Sequence, residues 1–287
     1  GILAERTRLS NYPGDVKFDQ TTLPSVVELQ VGRVDLSNMP GLNYTGGPST
    51  FPSELALLRQ YLNKDHNFRH GLLNVPRRAL IGDSFGLRGG EAFSASGYRS
   101  FAPLVGPQNI TDVSLHSSTA RAPWISALSA NNYLLAYGCG PGSYRTIDGL
   151  GTSGPAKDCS SVDIVSGNIQ AVFTLIFGSW LGDWDQEDNF MRSILAAPTC
   201  SLATAWSGRP HWFVHPLGLG ETIGYTARLA QNNTGLYQNQ INQSANLVHI
   251  ALLGDPTLRL HPVAPVSAFS GTSTSVGTQL EWNPSSE

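Results

Sequence analysis

The stretch Asn132-Tyr-Leu-Leu-Ala-Tyr-Gly-Cys-Gly-Pro-Gly-Ser143 decides the fold of this 287-residue chain. It is an apolar run that ends in glycines, and a second such run follows at Ala171-Val-Phe-Thr-Leu-Ile-Phe-Gly-Ser-Trp-Leu-Gly-Asp-Trp-Asp185. Each run predicts a buried strand that ends at a small side chain, Cys139 in the first and Ser179 in the second. Ligands bind at the carboxyl ends of neighbouring strands in open α/β sheets. The two runs therefore predict a functional rim that carries a thiol and a hydroxyl.

Composition limits the classes of function. Hydrophobic residues make up 40% of the chain and charged residues 14%, and the formal net charge is −3. Because Lys and Arg form no cluster, we do not expect a nucleic-acid partner. No apolar run reaches the roughly 18 residues of a membrane-spanning helix, so we expect no membrane span. The low charge, with 30 Gly and 18 Pro, is typical of an extracellular or cell-surface protein.

The chain has three cysteines, Cys139, Cys159 and Cys200, and an odd number cannot all pair. One disulfide with one free thiol is possible in an oxidising compartment, but the connectivity does not follow from the sequence. Each cysteine is equally compatible with a small buried hydrophobic residue. No Cys or His pair has the spacing of a zinc site.

Short apolar runs alternate with helical patterns along the chain, which predicts a mostly parallel sheet covered by helices. In the first helix, Ser53 is the expected N-cap, and Leu55, Leu58 and Leu62 share one face at helical spacing. The predicted strands are residues 26–31, 78–81, 133–137, 171–177, 202–206 and 247–253, and the predicted helices are residues 52–63, 90–100, 189–197 and 218–231.

Composition also divides the chain into three regions. Residues 1–25 have a loop-like sequence, and residues 26–262 hold the alternating pattern of an α/β domain. Residues 263–287 form a linker and a tail rich in Ser, Thr and Gly. The tail resembles the first strands of a fibronectin type III module or a similar β-sandwich, which needs more strands than this segment supplies. We therefore expect a modular protein.

Four motifs, in this order, resemble gingipain-type cysteine peptidases. They are Gly32-Arg-Val-Asp35 after a strand, Tyr137-Gly-Cys-Gly140, residues 173–185, and Leu253-Gly-Asp-Pro-Thr-Leu258. The resemblance covers most of residues 26–262. It implies a caspase-like three-layer α/β/α sandwich with a mostly parallel sheet, followed by the beginning of a β-sandwich module.

The family has a catalytic His in a Gly-His-Gly turn after one strand and a catalytic Cys at the end of the next strand. Laid onto this chain, Cys139 occupies the histidine position and Ser179 the cysteine position. Both catalytic positions are thus substituted. The resemblance supports the fold but not the catalytic dyad, so whether the domain is an enzyme stays open at this point.

Three interpretations fit these substitutions. The first is a catalytically degenerate domain of a larger secreted protein, with a binding, assembly or cell-surface role and a peptide, a protein or another copy of itself as partner. The second is an active cysteine-type or serine-type endopeptidase that uses Cys139 or Ser179 as nucleophile and His211 or His215 as base. The third is that the catalytic residues lie elsewhere in the chain.

Two further groups of acidic residues are candidates for a role at the rim. Glu221 is a candidate for orienting His215. Asp183, Asp185 and Asp188 offer alternating carboxylates after the second apolar run, so calcium is a possible structural ion, although this segment lacks the complete twelve-residue calcium loop. We expect no other cofactor.

Overall fold

The computed structural model describes residues 25–37, 39, 52–88, 93–114, 124–151, 158–166, 168–207, 212–232, 250–261 and 266–284. Within these ranges, no helix has the length and apolarity needed to cross a bilayer. The strands are β1 (Ala79–Asp83), β2 (Ile110–Asp112), β3 (Tyr133–Cys139), β4 (Thr146–Ile147), β5 (Cys159–Ser160), β6 (Ala171–Phe177), β7 (Ala203–Ser207), β8 (Ile250–Gly254), β9 (Ser267–Thr274) and β10 (Gly277–Asn283). The helices are α1 (Glu54–Arg69), α2 (Ser94–Val105), α3 (Trp124–Ala130), α4 (Ser161–Ser166), α5 (Phe190–Ala196) and α6 (Ile223–Gln231).

A six-stranded sheet in the order β2-β1-β3-β6-β7-β8 forms the centre of the molecule. Its first five strands are parallel, and β8 pairs antiparallel with β7. Every residue of β3 is buried, as is every residue of β6 except the last. Strands buried on both faces need helices on both sides. The predicted mixed α/β fold with a mostly parallel sheet is confirmed.

Glycines in the strands show that helices pack against both faces of the sheet. A Cβ on Gly82 or Gly138 would lie within 3.0 Å of the Trp124 ring of α3. In α2, a Cβ on Gly97 would lie 3.0 Å from Tyr137 and 3.2 Å from Ile81. Because successive residues of a strand point to opposite faces, α2 and α3 lie on opposite sides of the sheet.

The predicted strand at residues 26–31 is wrong. The segment forms no strand, and Val26, Leu29 and Val31 are 62%, 73% and 66% exposed. Its backbone bonds to a side chain instead, because Asn232 Oδ1 accepts from Val27 N at 2.7 Å and Asn232 Nδ2 donates to Val27 O at 2.7 Å. A bridge to β8 forms only later, at Arg33.

Helix α1 begins directly after its predicted N-cap, and its buried face contains polar side chains. The Ser53 hydroxyl accepts from Ala56 N, which confirms the predicted N-cap. The leucines at 55, 58 and 62 are exposed, whereas the buried face is made of Leu57, Tyr61, Lys64 and Phe68. The polar ends of Tyr61 and Lys64 can be buried because each is hydrogen-bonded. Tyr61 Oη donates to Leu202 O, and Lys64 Nζ donates to Leu195 O and Ala197 O.

The tail forms an antiparallel hairpin of β9 and β10, in which every residue is exposed. Two strands are fewer than a β-sandwich requires, so the predicted sandwich module stays a prediction.

The three cysteines are all buried and free, and the possible disulfide is not formed.

We predict that Gly82→Ala destabilises the domain by about 1–3 kcal/mol, as expected for overpacking a core. The added Cβ would lie 2.6 Å from Trp124 Cδ1, and neither the central strand nor the indole has room to move. The measurement is the free energy of unfolding in urea.

Gly271→Ala in the hairpin is the matched control, since its Cβ would meet only the ends of two exposed side chains, Leu280 at 3.3 Å and Thr278 at 3.7 Å. Equal stability of Gly82→Ala and wild type would contradict the packing of Trp124 described above.

Candidate functional site

Three strand ends meet at the carboxyl edge of the sheet. The pairing register sets Asp83 of β1 beside Cys139 of β3, and Cys139 beside Phe177 of β6. Neighbouring residues in register point to the same face, which here is the α2 face. The structure therefore brings the two predicted strand ends together, as the sequence indicated, and adds Asp83 to them.

Glycines after β3 and β6 let the two strand ends touch. Gly140 N donates to Phe177 O at 3.1 Å. A Cβ on Gly178 would lie 2.5 Å from Gly140 O, and a Cβ on Gly140 would overlap the Ser84 hydroxyl. Only residues without a side chain permit this approach of two backbones.

The Cys139 thiol is fully buried. Burial raises the pKa of Cys139 well above its usual range, and the nearby Asp83 carboxylate raises it further. The phenol of Tyr137 lies beside the thiol and acts in the opposite direction, but Tyr137 Oη has no well-formed hydrogen bond. A thiol in these surroundings stays protonated, whereas a nucleophilic or metal-binding cysteine is a thiolate.

Asp83 is a buried carboxylate whose two oxygens accept from the backbone. Its Oδ1 accepts from Phe85 N at 2.8 Å, and its Oδ2 accepts from Ser94 N at 2.7 Å. Ser94 is the first residue of α2. The carboxylate thus fixes both the turn after β1 and the start of α2, where the helix dipole favours negative charge.

Three phenylalanine rings pack together at this edge of the sheet. The ring centroids of Phe85, Phe93 and Phe177 are separated by 5.0, 5.5 and 4.8 Å. Phe177 lies beside Cys139 in the sheet. Phe85 supplies one of the two N–H groups that Asp83 accepts, and Phe93 directly precedes Ser94, which supplies the other. This phenylalanine cluster forms an apolar layer at the strand ends beside the buried thiol.

Ser179 lies on the surface, in the turn that follows β6. The next residue, Trp180, has a φ of 65°, a left-handed conformation that is uncommon for a bulky residue. Such backbone strain is often found at functional turns. Trp206 Nε1 holds the start of the turn by donating to Gly178 O at 2.9 Å.

Asn189 anchors the loop that carries Ser179. Its side chain is fully buried, and Nδ2 donates to Leu181 O, Asp183 O and Tyr144 O at 3.0 to 3.2 Å. Its Oδ1 accepts from Met191 N and so caps α5. One amide therefore joins the loop after β3 to the loop after β6.

The predicted bases lie on a different element. His211 falls outside the described residues. His215 begins a 3-10 helix at His215–Leu219, which packs against α2 and α6. Glu221 follows this helix, and its N–H donates to Pro216 O. In the part of the chain that is described, no hydrogen bond joins an imidazole to Cys139 or Ser179, and the neighbours of the thiol are Asp83 and Tyr137.

The three predicted calcium ligands differ in their exposure to solvent. Asp188 is buried, with Arg145 Nη2 at 4.0 Å from its carboxylate, whereas Asp185 is exposed and Asp183 half-buried. Among the described residues, no three or more His, Cys, Asp or Glu side chains form a group that could hold a metal ion. Calcium at this loop stays a prediction.

A network of two arginines and one aspartate links residues 33–37 to the loop after β6. Arg33 donates to Asp35 Oδ2 through Nε at 3.0 Å and Nη2 at 2.7 Å, and its guanidinium lies 4.4 Å from the Trp184 ring centroid. The buried Arg192 donates to Asp35 Oδ1 at 3.2 Å, Ser37 O at 2.6 Å and Gln186 O at 2.5 Å. Through the contact with Gln186, the network holds the same loop that Asn189 holds at Leu181 and Asp183.

Several of these residues were not predicted as part of the site. Asp83 follows the predicted strand at residues 78–81, and the same signal that singled out Cys139, a polar residue at a strand end, could have found it. Asn189 was predicted as the start of a helix, and its links to three carbonyls depend on tertiary structure. Arg192 lies inside a helix and gives no local signal.

Comparisons of the chain with models of protein families, with curated proteins and with solved structures found no match. The resemblance to gingipain-type peptidases therefore stays a prediction that rests on the motifs quoted above.

We predict that the contribution of Asp35 to stability disappears in acid. Burial acts to raise the pKa of Asp35, but hydrogen bonds from Ser37 and Arg33 and the charge of Arg192 outweigh it and lower the pKa to about 2. A lowered pKa in the folded state means that the stabilisation is complete above pH 3.8 and is lost as the pH falls through 2.

The measurement is the difference in unfolding free energy between wild type and Asp35→Asn across this range. After discounting for solvent screening, we expect the difference to shrink by about 1 kcal/mol between pH 5 and pH 2. Asp185→Asn, an exposed aspartate on the adjacent loop, is the control and should show no such change. A constant difference for Asp35→Asn would contradict the network.

Proposed function

We propose that residues 26–262 are a gingipain-like, caspase-like domain that no longer cleaves peptides and serves binding or assembly in a larger extracellular protein. The observation that carries the proposal is the burial of Cys139 between Asp83 and Tyr137. Support for the family comes from the motif order and from Cys139 and Ser179, which follow one another at the ends of two adjacent parallel strands.

The chemistry of the two substituted positions argues against catalysis. A cysteine peptidase needs an accessible thiolate stabilised by a positive neighbour. Cys139 is inaccessible, and the carboxylate of Asp83 disfavours its thiolate. Ser179 is accessible, but a serine needs a general base within hydrogen-bond reach, and the described residues provide no such contact.

The rim is nevertheless well suited to contact with another molecule. The turn at Ser179 and the loop after it are held at Gly178 by Trp206, at Asp183 by Asn189 and at Gln186 by Arg192. A rigid loop loses little conformational entropy when it binds. A peptide, a protein or another copy of the chain remains the expected class of partner.

We predict that Cys139 in the native protein reacts with iodoacetamide on the order of a hundredfold more slowly than in the unfolded chain, because it is buried and protonated. The extent of alkylation at each cysteine is read by peptide mass spectrometry, with the urea-unfolded protein as the reference. A broad library of quenched peptide substrates should not be cleaved.

Two outcomes would overturn the proposal. One is fast alkylation of native Cys139, together with peptide cleavage that Cys139→Ala abolishes. The other is labelling by a fluorophosphonate probe that Ser179→Ala abolishes, together with cleavage lost in the same variant. Either result would establish the alternative, an endopeptidase with a rewired site, and His215→Ala would then test for its base.

A further inference from the structure

Two histidines lie side by side at the carboxyl end of α1. His66 and His70 are four residues apart, and both are exposed. Residues at this spacing are neighbours on the surface of a helix. Their ring centroids are 4.2 Å apart, with an interplanar angle of 37°. The helix therefore brings two imidazoles, the side chain that binds metals most often in proteins, into contact at its surface.

This spacing is one that metal sites use. Zinc sites contain pairs of histidines with three to five residues between them, and metalloprotease helices hold zinc through two histidines four positions apart. The expectation that no His pair has the spacing of a zinc site is therefore wrong for His66 and His70. An ion at about 2.0–2.1 Å from one nitrogen of each ring sets the centroids roughly 4.5–5 Å apart, which these rings reach by opening less than about 1 Å.

The backbone that carries the two rings is fixed. His70 caps the carboxyl end of α1, and its N–H donates to His66 O at 3.0 Å, so both residues keep the helical register. Between them, Arg69 donates to Asp65 Oδ2 at 2.8 Å and to Thr257 Oγ1 at 2.7 Å. Ligands on a fixed backbone lose little conformational entropy when they bind.

The charges around the pair favour a cation. The carboxyl end of a helix carries a partial negative charge from its unpaired carbonyl groups. Arg69 forms ion pairs with both Asp65 and Asp255, so two carboxylates accompany one guanidinium beside the histidines. A positive ion held by the two rings would therefore lie in a negative environment.

We propose that His66 and His70 together bind a divalent transition-metal ion through one nitrogen of each ring. Imidazole ligands suit Cu²⁺, Ni²⁺ and Zn²⁺, and Cu²⁺ binds most tightly of the three. The described residues offer no third His, Cys, Asp or Glu ligand, so water completes the coordination. The bound ion joins two successive turns and fastens the carboxyl end of α1.

The first test is titration of the complete 287-residue chain with Cu²⁺, followed by calorimetry and electron paramagnetic resonance. The tightest site of the wild type should take one ion per chain and show coupling to two nitrogens. In His66→Ala and in His70→Ala, the affinity should fall by at least about tenfold and one nitrogen should be lost. Both positions are exposed, so α1 should keep its helical circular dichroism.

An exchange of two positions provides the matched control. Leu62→His/His66→Leu keeps the composition of the chain but sets the two histidines eight residues apart, about 12 Å along the helix. Leu62 is 55% exposed, so the new imidazole is accessible. One ion cannot bridge this distance with bonds of about 2 Å, so the variant should bind Cu²⁺ as weakly as His66→Ala.

The second test measures the effect of the ion on the end of the helix. The N–H groups of His70, Gly71 and Leu72 donate to carbonyls of the last turn at 3.0, 3.0 and 2.8 Å. Zn²⁺ at about 100 times its dissociation constant should slow hydrogen exchange of these amides at least about tenfold. Asn232, whose N–H donates to Arg228 O at the end of α6, is the control and should exchange equally fast with and without Zn²⁺.

Equal Cu²⁺ affinity in wild type and Leu62→His/His66→Leu would overturn the proposal, because single imidazoles would then account for the binding. A spectrum with coupling to one nitrogen would overturn it without the use of any variant. A ratio of one ion to two chains would do the same, since the ion would then join two copies. So would an exchange rate of the His70 amide that ignores Zn²⁺. Neither test depends on the proposed loss of catalysis, which is judged by alkylation of Cys139.

Discussion

The carboxylate of Asp83 is the group on which the carboxyl edge of the sheet depends. It is buried, and both of its oxygens accept backbone N–H groups, one in the turn after β1 and one at the first residue of α2. The flanking Phe85 and Phe93 are thereby fixed against Phe177. The same negative charge raises the pKa of Cys139. The position of α2 and the aromatic layer thus depend on one side chain, which also adds to the effect of burial in raising the pKa of Cys139.

Polar side chains hold the loop after β6, whereas close contact between two backbones holds the strand ends. Asn189 bonds to three carbonyls and caps α5, and Arg192 reaches Asp35, Ser37 and Gln186 from inside the same helix. Burying an arginine is costly unless it is paired and hydrogen-bonded, and Asp35 supplies that pair. Residues 33–37 therefore contribute to the loop even though they form no long strand.

The sequence predicted the sheet well where strands are buried on both faces. The dense apolar runs of β3 and β6 leave no alternative to a central strand, and β6 has the predicted bounds. The same reasoning failed at residues 26–31, where apolar content is similar but the backbone bonds to Asn232. It grouped Leu55, Leu58 and Leu62 on one face of α1 but did not indicate which face is buried, because Tyr61 and Lys64 reach distant carbonyls that no local pattern reveals. The position of the site followed from strand ends, and the same signal could have found Asp83, whereas the roles of Asn189 and Arg192 required the tertiary structure.

The negative charge of Asp83 supports the fold at this edge but disfavours a thiolate at Cys139. Two backbone N–H groups bond to the two oxygens of Asp83, and an asparagine has only one oxygen, so Asp83→Asn would leave one of these donors without its acceptor. A reactive thiolate at Cys139 would need that charge removed or balanced by a cation. The fold therefore retains the group that suppresses the nucleophile. A thiolate at this edge would therefore require access to the buried Cys139 as well as other support for the start of α2.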